Sequence, residues 1–190
     1  GRNPNAASAG FDPYHHSGPL ARTVADIALM QNVISGVHVE DIGTLREEFR
    51  LPLDPAPATG WKIALSMDLG YFQVDPEVRR NTESVAAALE AAGNTVEEVE
   101  LGWTEETYDA WLAMNATRGA AARKVGDFER WRPHLADYTF DMIEHGQRIS
   151  AEELVRALEV HVEMYARLAP LLEEYRVMIC PTNEIPSIGD

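Results

Sequence analysis

Residues 61–66 read Trp-Lys-Ile-Ala-Leu-Ser, and residues 75–78 read Asp-Pro-Glu-Val. These two stretches decide the fold of this chain. The first run is short and apolar and predicts a strand. Asp75 is a strong N-cap and Pro76 suits the first helical position, so a helix should start here and stop at Gly93. Residues 95–101 predict a second strand. A strand, a crossover helix and another strand predict a parallel pair with a right-handed connection. The buried face of the helix would carry Val78, Thr82, Val85, Leu89 and Ala92.

The rest of the chain predicts helices and one late strand, so the expected fold class is α/β. Three strands alone would leave exposed edges, which indicates a sheet that belongs to something larger. We divide the sequence into a loop and helix (1–60), a βαβ unit (61–102), a helical insert (103–174) and a late strand and loop (175–190).

A long helix should close the helical insert. It begins at a capping box made by Ser150 and Glu153. Pro170 is expected to kink or interrupt it, because proline has no backbone N–H to donate. Its buried face is expected to contain Leu154, Leu158, His161 or Val162, Tyr165, Leu168 and Leu172.

Composition narrows the classes of partner. The 190 residues carry a formal net charge of −15, and such a surface would be repelled by nucleic acid and by anionic membranes. No apolar run approaches the roughly 18 residues that span a bilayer. A single cysteine excludes an internal disulfide and fits the cytoplasm, which is the expected location. The start at Gly1 and the end at Asp190 favour a fragment of a longer protein.

A further stretch carries a family pattern. Residues 18–26, Gly-Pro-Leu-Ala-Arg-Thr-Val-Ala-Asp, join a turn to a helix-start box formed by Thr23 and Asp26. The stretch closely resembles the G-P-x-A-R-T-V-x-D block of the amidase signature enzymes, which hydrolyse amides with a serine nucleophile. Four other segments resemble family segments in the family's order: residues 1–2, 61–78, 93–97 and 177–182. The resemblance implies that residues 1–190 are the C-terminal portion of a single amidase domain with a mixed sheet.

The resemblance also implies where the chemistry is. In the family, a serine attacks the amide, and a second serine on a cis peptide relays its proton to a lysine. A hydroxyl needs such a neighbouring base to become a good nucleophile. These residues are expected upstream of Gly1. The two lysines here, Lys62 and Lys124, do not lie in Gly/Ser-rich segments. No catalytic residue is therefore assigned to this chain, and the chain alone is expected to be inactive.

Substrate-pocket candidates come from two regions. The helical insert contains four aromatic residues, Trp111, Trp131, Tyr138 and Phe140. Core packing is favoured over a pocket wall for them, because aromatic side chains bury well anywhere. In the family this insert often lines the substrate pocket. Thr182 and Asn183 follow the late strand, and strand ends are where α/β proteins usually bind ligands. We select Trp131, Tyr138, Thr182 and Asn183 as the candidates.

Other reactive side chains have simpler explanations. Cys180 ends an apolar run and is expected to be a buried structural cysteine. His15 and His16 have no companions at zinc-ligand spacing, and His161 fits a core position on a helix. Acidic pairs such as Glu97-Glu98 are expected to be solvated surface. No metal or organic cofactor is implied.

Three functions remain open. The first is an intact amidase that hydrolyses a carboxamide or related C–N bond to acid and ammonia or amine, acting on a small molecule, with a homodimer as a possible assembly. The second is the A subunit of a tRNA-dependent amidotransferase, which also carries the residue 18–26 block and works with partner chains. The third is a non-catalytic interaction or scaffold domain. A reading frame that continues upstream into a Gly/Ser-rich segment would exclude the third.

Overall fold

The computed structural model describes residues 2–4, 16–41, 43–122, 130 and 132–187. The chain divides into two compact units, Gly1–Pro57 and Ala58–Asp190. Each unit is described separately below. No helix among the described residues is long and apolar enough to cross a membrane.

The first unit contains helix α1 (Val24–Ile34). The hydroxyl oxygen of Thr23 accepts a hydrogen bond from the backbone N–H of Asp26 at 3.1 Å, and the Thr23 hydroxyl donates to the Asp26 carboxylate at 2.8 Å. This N-cap satisfies one of the free N–H groups of the first turn. The helix start that the sequence predicts at Thr23 and Asp26 is therefore confirmed.

The second unit is built on a small parallel sheet. Its strands are β1 (Lys62–Leu65), β2 (Thr95–Glu98) and β3 (Val177–Ile179), in the order β2-β1-β3. Ile63 of β1 pairs with Val96 on one side and with Val177 on the other. All pairs between the described strands are parallel. The central strand β1 is buried at Ile63, Ala64 and Leu65, whereas β3 lies at an edge and is only partly buried.

Helix α2 (Pro76–Ala91) connects β1 to β2 and starts as the sequence predicts. The Asp75 carboxylate accepts the Glu77 N–H at 2.7 Å, and Pro76 occupies the first turn. Gly93 follows the helix at φ +89°, a conformation that favours glycine. The predicted buried face is only partly correct, because Val85 is 53% exposed and α2 has no fully buried residue.

In the helical insert, the described residues include three helices that form a layer. They are α3 (Glu106–Ala122), α4 (Asp137–Arg148) and α5 (Ala151–Glu174), and a short 3₁₀ turn, Arg132–His134, precedes α4. The core of this layer consists mainly of small residues: Ala110, Ala113, Ala157 and Val160, with Met114, Ile149 and Met164 packed against them. Small side chains let the helix axes approach closely.

Two predictions about the long helix α5 need correction. An interruption at Pro170 is wrong, because the helix continues to Glu174, whereas the alternative of a kink there stays a prediction. Proline removes only one hydrogen bond so near the C-terminus, and the Tyr175 N–H still donates to the Leu171 carbonyl at 2.7 Å. The predicted buried face was also displaced around the helix axis. Four of its members are exposed: Leu158, Val162, Tyr165 and Leu172.

The physical reason for the displaced face is the contact with α3. The buried residues of α5 are Ala157, Val160 and His161. Ala157 and Val160 share a cluster with Ala110 and Ala113 of α3. Close packing between two alanine-rich surfaces orients α5 by shape, so the larger residues beside this surface remain in solvent. His161 is buried, as the sequence predicts.

Candidate functional site

A cavity of about 490 Å³ lies where β1 and β3 end. Three segments line it: residues 67–74 after β1, one face of α3 at Tyr108 and Trp111, and residues 181–187 after β3. Because β1 and β3 are parallel neighbours, their carboxyl ends meet at the same edge of the sheet. This edge is the usual ligand position in α/β folds.

Two backbone hydrogen bonds hold the segments after β1 and β3 together. The Ser66 N–H donates to the Ile179 carbonyl at 3.0 Å, directly at the strand ends. Further out, the Asp75 N–H donates to the Glu184 carbonyl at 2.8 Å. The loop from 66 to 75 and the segment from 179 to 184 are therefore attached at both ends, which fixes the two walls of the cavity relative to each other.

The loop after β1 is shaped by a tight turn. The Asp68 carboxylate accepts the Gly70 N–H at 2.7 Å, and the Asp68 carbonyl accepts the Phe72 N–H at 2.9 Å. Gly70 has φ +94°, and a Cβ built there would lie 2.7 Å from the Trp103 carbonyl oxygen. Only glycine fits both the conformation and the space. The turn places Phe72 in the wall of the cavity.

Aromatic rings form much of this wall. Tyr108 and Trp111 of α3 have ring centroids 5.5 Å apart, and Tyr71 and Phe72 have centroids 4.1 Å apart. Tyr108 and Trp111 are each 47% exposed, so large parts of both rings remain accessible. Such surfaces suit a flat apolar group, which gains both buried area and ring contacts.

The polar lining of the cavity is acidic. Asp68 and Glu184 are the charged residues of the described lining, and none of the described lining residues is a lysine, arginine or histidine. Beside the cavity, the pKa of the Tyr71 phenol is raised, first by burial and then by the negative charge of Glu184. The phenol therefore stays protonated at neutral pH, and the described lining offers the two carboxylates no cationic side chain.

The predicted pocket residues have different positions in the structure. Thr182 and Asn183 both line the cavity, and their role in substrate binding stays a prediction. Tyr138 is 73% exposed on α4 and is not among the described lining residues. Trp131 lies outside the described residues.

Some lining residues after β1 and on the first turns of α3 were not predicted from the sequence. Phe72 and Tyr108 line the cavity but were not selected. Trp111, for which the sequence favoured core packing over a pocket wall, also lines it. For Phe72 a signal existed, because it follows a predicted strand by only a few residues, as Thr182 does.

Lys62 does not provide a general base. It begins β1, at the amino end of the sheet, and its ammonium group pairs with Glu174 and with Glu97, the latter at 3.1 Å. The hydrogen bonds that the Lys62 ammonium donates to Glu174 and then to Glu97 raise the pKa of Lys62 well above its ordinary range. A lysine that stays protonated cannot accept a proton from a hydroxyl.

Cys180 is exposed, so the prediction of a buried cysteine was wrong. It directly follows β3, and β3 is an edge strand whose faces are only partly covered. Desolvation raises the pKa of its thiol, which disfavours the reactive thiolate. Among the described residues there is also no group of three or more His, Cys, Asp or Glu placed to hold a metal ion.

A smaller cavity of about 270 Å³ lies in the first unit. Its lining includes Arg2, Arg46 and Arg50 together with Glu47 and Glu48. The positive and negative side chains of this lining offset each other, and no strand of the described chain ends there. The larger cavity of the second unit is therefore the better candidate site.

Known proteins similar to this chain were found by sequence. The family model described as Amidase matches residues 6–189. An acylamidase from Rhodococcus erythropolis is 26% identical over 174 residues, which cover 90% of this chain and 36% of the relative. The A subunit of a glutamyl-tRNA(Gln) amidotransferase from Cenarchaeum symbiosum is 34% identical over 106 residues, or 55% of this chain and 22% of that protein.

A solved structure agrees in fold. A bacterial aryl acylamidase of the amidase signature enzymes superposes with a TM-score of 0.83 at 26% identity, covering 100% of this chain and 41% of that chain. The chain thus spans a little over a third of the acylamidase relative. The family match, the sequence relatives and the shared α/β architecture agree, and the chain belongs to the amidase signature family.

Proposed function

We propose that this chain is the C-terminal portion of an amidase that hydrolyses a carboxamide or a related C–N bond to an acid and ammonia or an amine. In this proposal the chain supplies scaffold and one part of the substrate pocket. The observation that carries it is the aromatic cavity at the carboxyl ends of β1 and β3, where Phe72, Tyr108 and Trp111 meet Thr182 and Asn183.

The proposal places the catalytic groups outside this chain. Amide hydrolysis by a serine needs a base that is neutral before it takes the proton. Lys62 is held in its charged form by two carboxylates, and desolvation disfavours the thiolate of Cys180. We expect the Ser-Ser-Lys set upstream of Gly1 and expect no turnover from the isolated 190 residues. We further propose a cytoplasmic location, which the single cysteine fits, and a homodimeric assembly.

The cavity indicates which part of the substrate this chain would contact. Flat rings at Tyr108 and Trp111 suit an aromatic or other planar apolar group, while Thr182 and Asn183 offer hydroxyl and amide groups for orientation. The structural relative is described as an aryl acylamidase, which agrees with a planar group.

Ammonia release tests the proposal. The full-length enzyme that contains this chain, and the 190 residues alone, are assayed with benzamide. We expect turnover only from the full-length enzyme. Trp111→Ala should raise KM about tenfold, the equivalent of about 1 to 2 kcal/mol of lost ring contact. Tyr165→Ala, an exposed aromatic change on α5 outside the cavity, is the control. Turnover by the isolated chain would refute the division of roles, and an inactive full-length enzyme would refute the function.

A second candidate has one specific observation in its favour. The amidotransferase chain from Cenarchaeum symbiosum has the higher identity, 34%, although over only 106 residues. An amidotransferase chain of this kind would function with partner chains. Co-purification of such partners, and amide transfer that depends on tRNA, would favour this function over a free-standing amidase. Hydrolysis of simple amides by a single chain would exclude it.

A further inference from the structure

We propose that the cavity selects substrates by charge. It accepts amides whose pocket-facing group is neutral or positively charged and rejects amides that carry a carboxylate there. Glu184 and Asp68 are the specificity-determining residues. This inference rests on the proposed amidase function and adds to it the substrate class, which neither the family match nor the names of the relatives specify.

The two acidic residues belong to the two neighbouring segments that follow β1 and β3, and backbone hydrogen bonds hold both segments. Glu184 lies between two other lining residues, and its carbonyl accepts the Asp75 N–H at 2.8 Å. Asp68 sits in the turn after β1, where one carboxylate oxygen accepts the Gly70 N–H at 2.7 Å. A group that enters the cavity therefore meets an acidic residue in each of these two segments.

Nothing in the described lining offsets this charge. It contains no lysine, arginine or histidine, so a substrate carboxylate would find no ion-pair partner there. The neighbouring Tyr71 is protonated and adds no charge of its own, although the Glu184 charge reaches it. Glu184 is exposed, so water screens part of its interaction with a substrate charge, and the apolar walls reduce that screening beside the cavity.

The aromatic rings of the cavity wall also favour cationic groups over anionic ones. The face of an indole or phenol ring carries negative electrostatic potential, so it attracts cations and disfavours anions. Trp111 and Tyr108 present accessible rings to the same space that Asp68 and Glu184 border. Carboxylates and ring faces together form surroundings suited to an amine or a neutral ring, and unsuited to a carboxylate.

Three benzamides of similar size test the inference on the full-length enzyme: benzamide, 4-(aminomethyl)benzamide and 4-carboxybenzamide. We expect kcat/KM for the aminomethyl substrate to exceed that for the carboxy substrate at least about tenfold. Glu184→Gln should reduce this ratio about fivefold, which corresponds to about 1 kcal/mol. Asp68→Asn, which keeps an oxygen for the Gly70 N–H, should reduce it similarly. Because each ratio is taken within one variant, a general loss of activity cancels.

Glu83→Gln is the matched control. It removes one negative charge from an exposed position on α2 that is not among the described lining residues, and it should leave the ratio within about twofold. Hydrolysis of benzamide with a ratio that neither Glu184→Gln nor Asp68→Asn changes would overturn the charge inference and leave the amidase function intact. No hydrolysis of benzamide would refute the function. In that case, binding of the two charged benzamides is measured by ligand-observed NMR. We expect the aminomethyl compound to bind more tightly, and equal binding of both would overturn the charge inference.

Discussion

Replacing Gly146 by alanine should destabilise the helical layer. Gly146 lies in α4, where the helix crosses α3. A Cβ built on it would lie 1.8 Å from the Ala116 carbonyl oxygen and 2.9 Å from the Thr117 nitrogen. These are backbone atoms of a helix, so no side-chain rotation can relieve the clash. The two helices would have to separate.

The size of the stability loss follows from the distance between the added Cβ and the Ala116 carbonyl oxygen. Ordinary contact with a Cβ begins near 3.4 Å, so the helices must separate by roughly 1.6 Å at this point. Ala116 is fully buried and Ile143 nearly so, and both would lose close contacts. Overpacking of this kind costs about 3 kcal/mol, while alanine returns about 1 kcal/mol of helix propensity. The net loss of unfolding free energy is about 2 kcal/mol, or about 8 °C in Tm.

Urea and thermal unfolding of the chain, followed by circular dichroism, measure the effect. Gly119→Ala is the matched control. It lies on α3, and its Cβ would be 3.8 Å from Ile143 Cγ1, an ordinary contact. We expect this variant to be unchanged or up to about 1 kcal/mol more stable. If Gly146→Ala were as stable as the parent chain, the close crossing of α3 and α4 would be wrong.

Two predictions concern hydrogen-bonded carboxylates. Ser150→Ala should cost about 1 kcal/mol of unfolding free energy by urea titration, because the Glu153 N–H loses its acceptor at the start of α5. The pKa of Glu153 is lowered by the Ser150 hydrogen bonds, so its contribution is present above the ordinary glutamate pKa and is lost as the pH falls through the lowered value. Tyr175→Phe should raise the pKa of Glu97, measured by ¹³C NMR, because the Tyr175 hydroxyl donates to that carboxylate at 2.7 Å.

Each of these changes has a control in the chain. Ser84→Ala removes an exposed hydroxyl that donates to the Arg80 carbonyl within α2, and should cost far less than Ser150→Ala. Tyr165→Phe removes an exposed hydroxyl from α5 and should leave the pKa of Glu97 unchanged. Equal effects of the two serine changes would contradict the capping box. An unshifted pKa of Glu97 in Tyr175→Phe would contradict the Tyr175 hydrogen bond as a cause of its lowered pKa.

Local signals in the sequence were sufficient for the elements themselves. The caps at Thr23, Asp75 and Ser150 start three helices as predicted, because each depends on a side chain and an N–H two or three residues away. The strands of the βαβ unit and the late strand were also correctly located. Capping interactions between residues two or three positions apart can be predicted from a short stretch of sequence.

Burial was predicted less well, because it depends on what faces each element. Apolar periodicity marked a broad stripe on α5, but the alanine surface of α3 selected only Ala157, Val160 and His161 from that side of the helix. Cys180 was expected inside because its run is apolar, yet β3 is an edge strand. The sequence of α5 does not show that α3 packs against it, and the sequence of β3 does not show that β3 lies at an edge.

The sequence by itself determined the family pattern, the helix starts and the order of strands along the chain. Only the tertiary structure decided that β1 lies between β2 and β3, which are widely separated in the chain. That pairing joins the loop after β1 to the segment after β3 and brings Phe72, Trp111 and Thr182 to one cavity. The physical reason is that neighbouring parallel strands end at the same edge of the sheet, however far apart they are in sequence. Which strands become neighbours depends on packing across the whole unit.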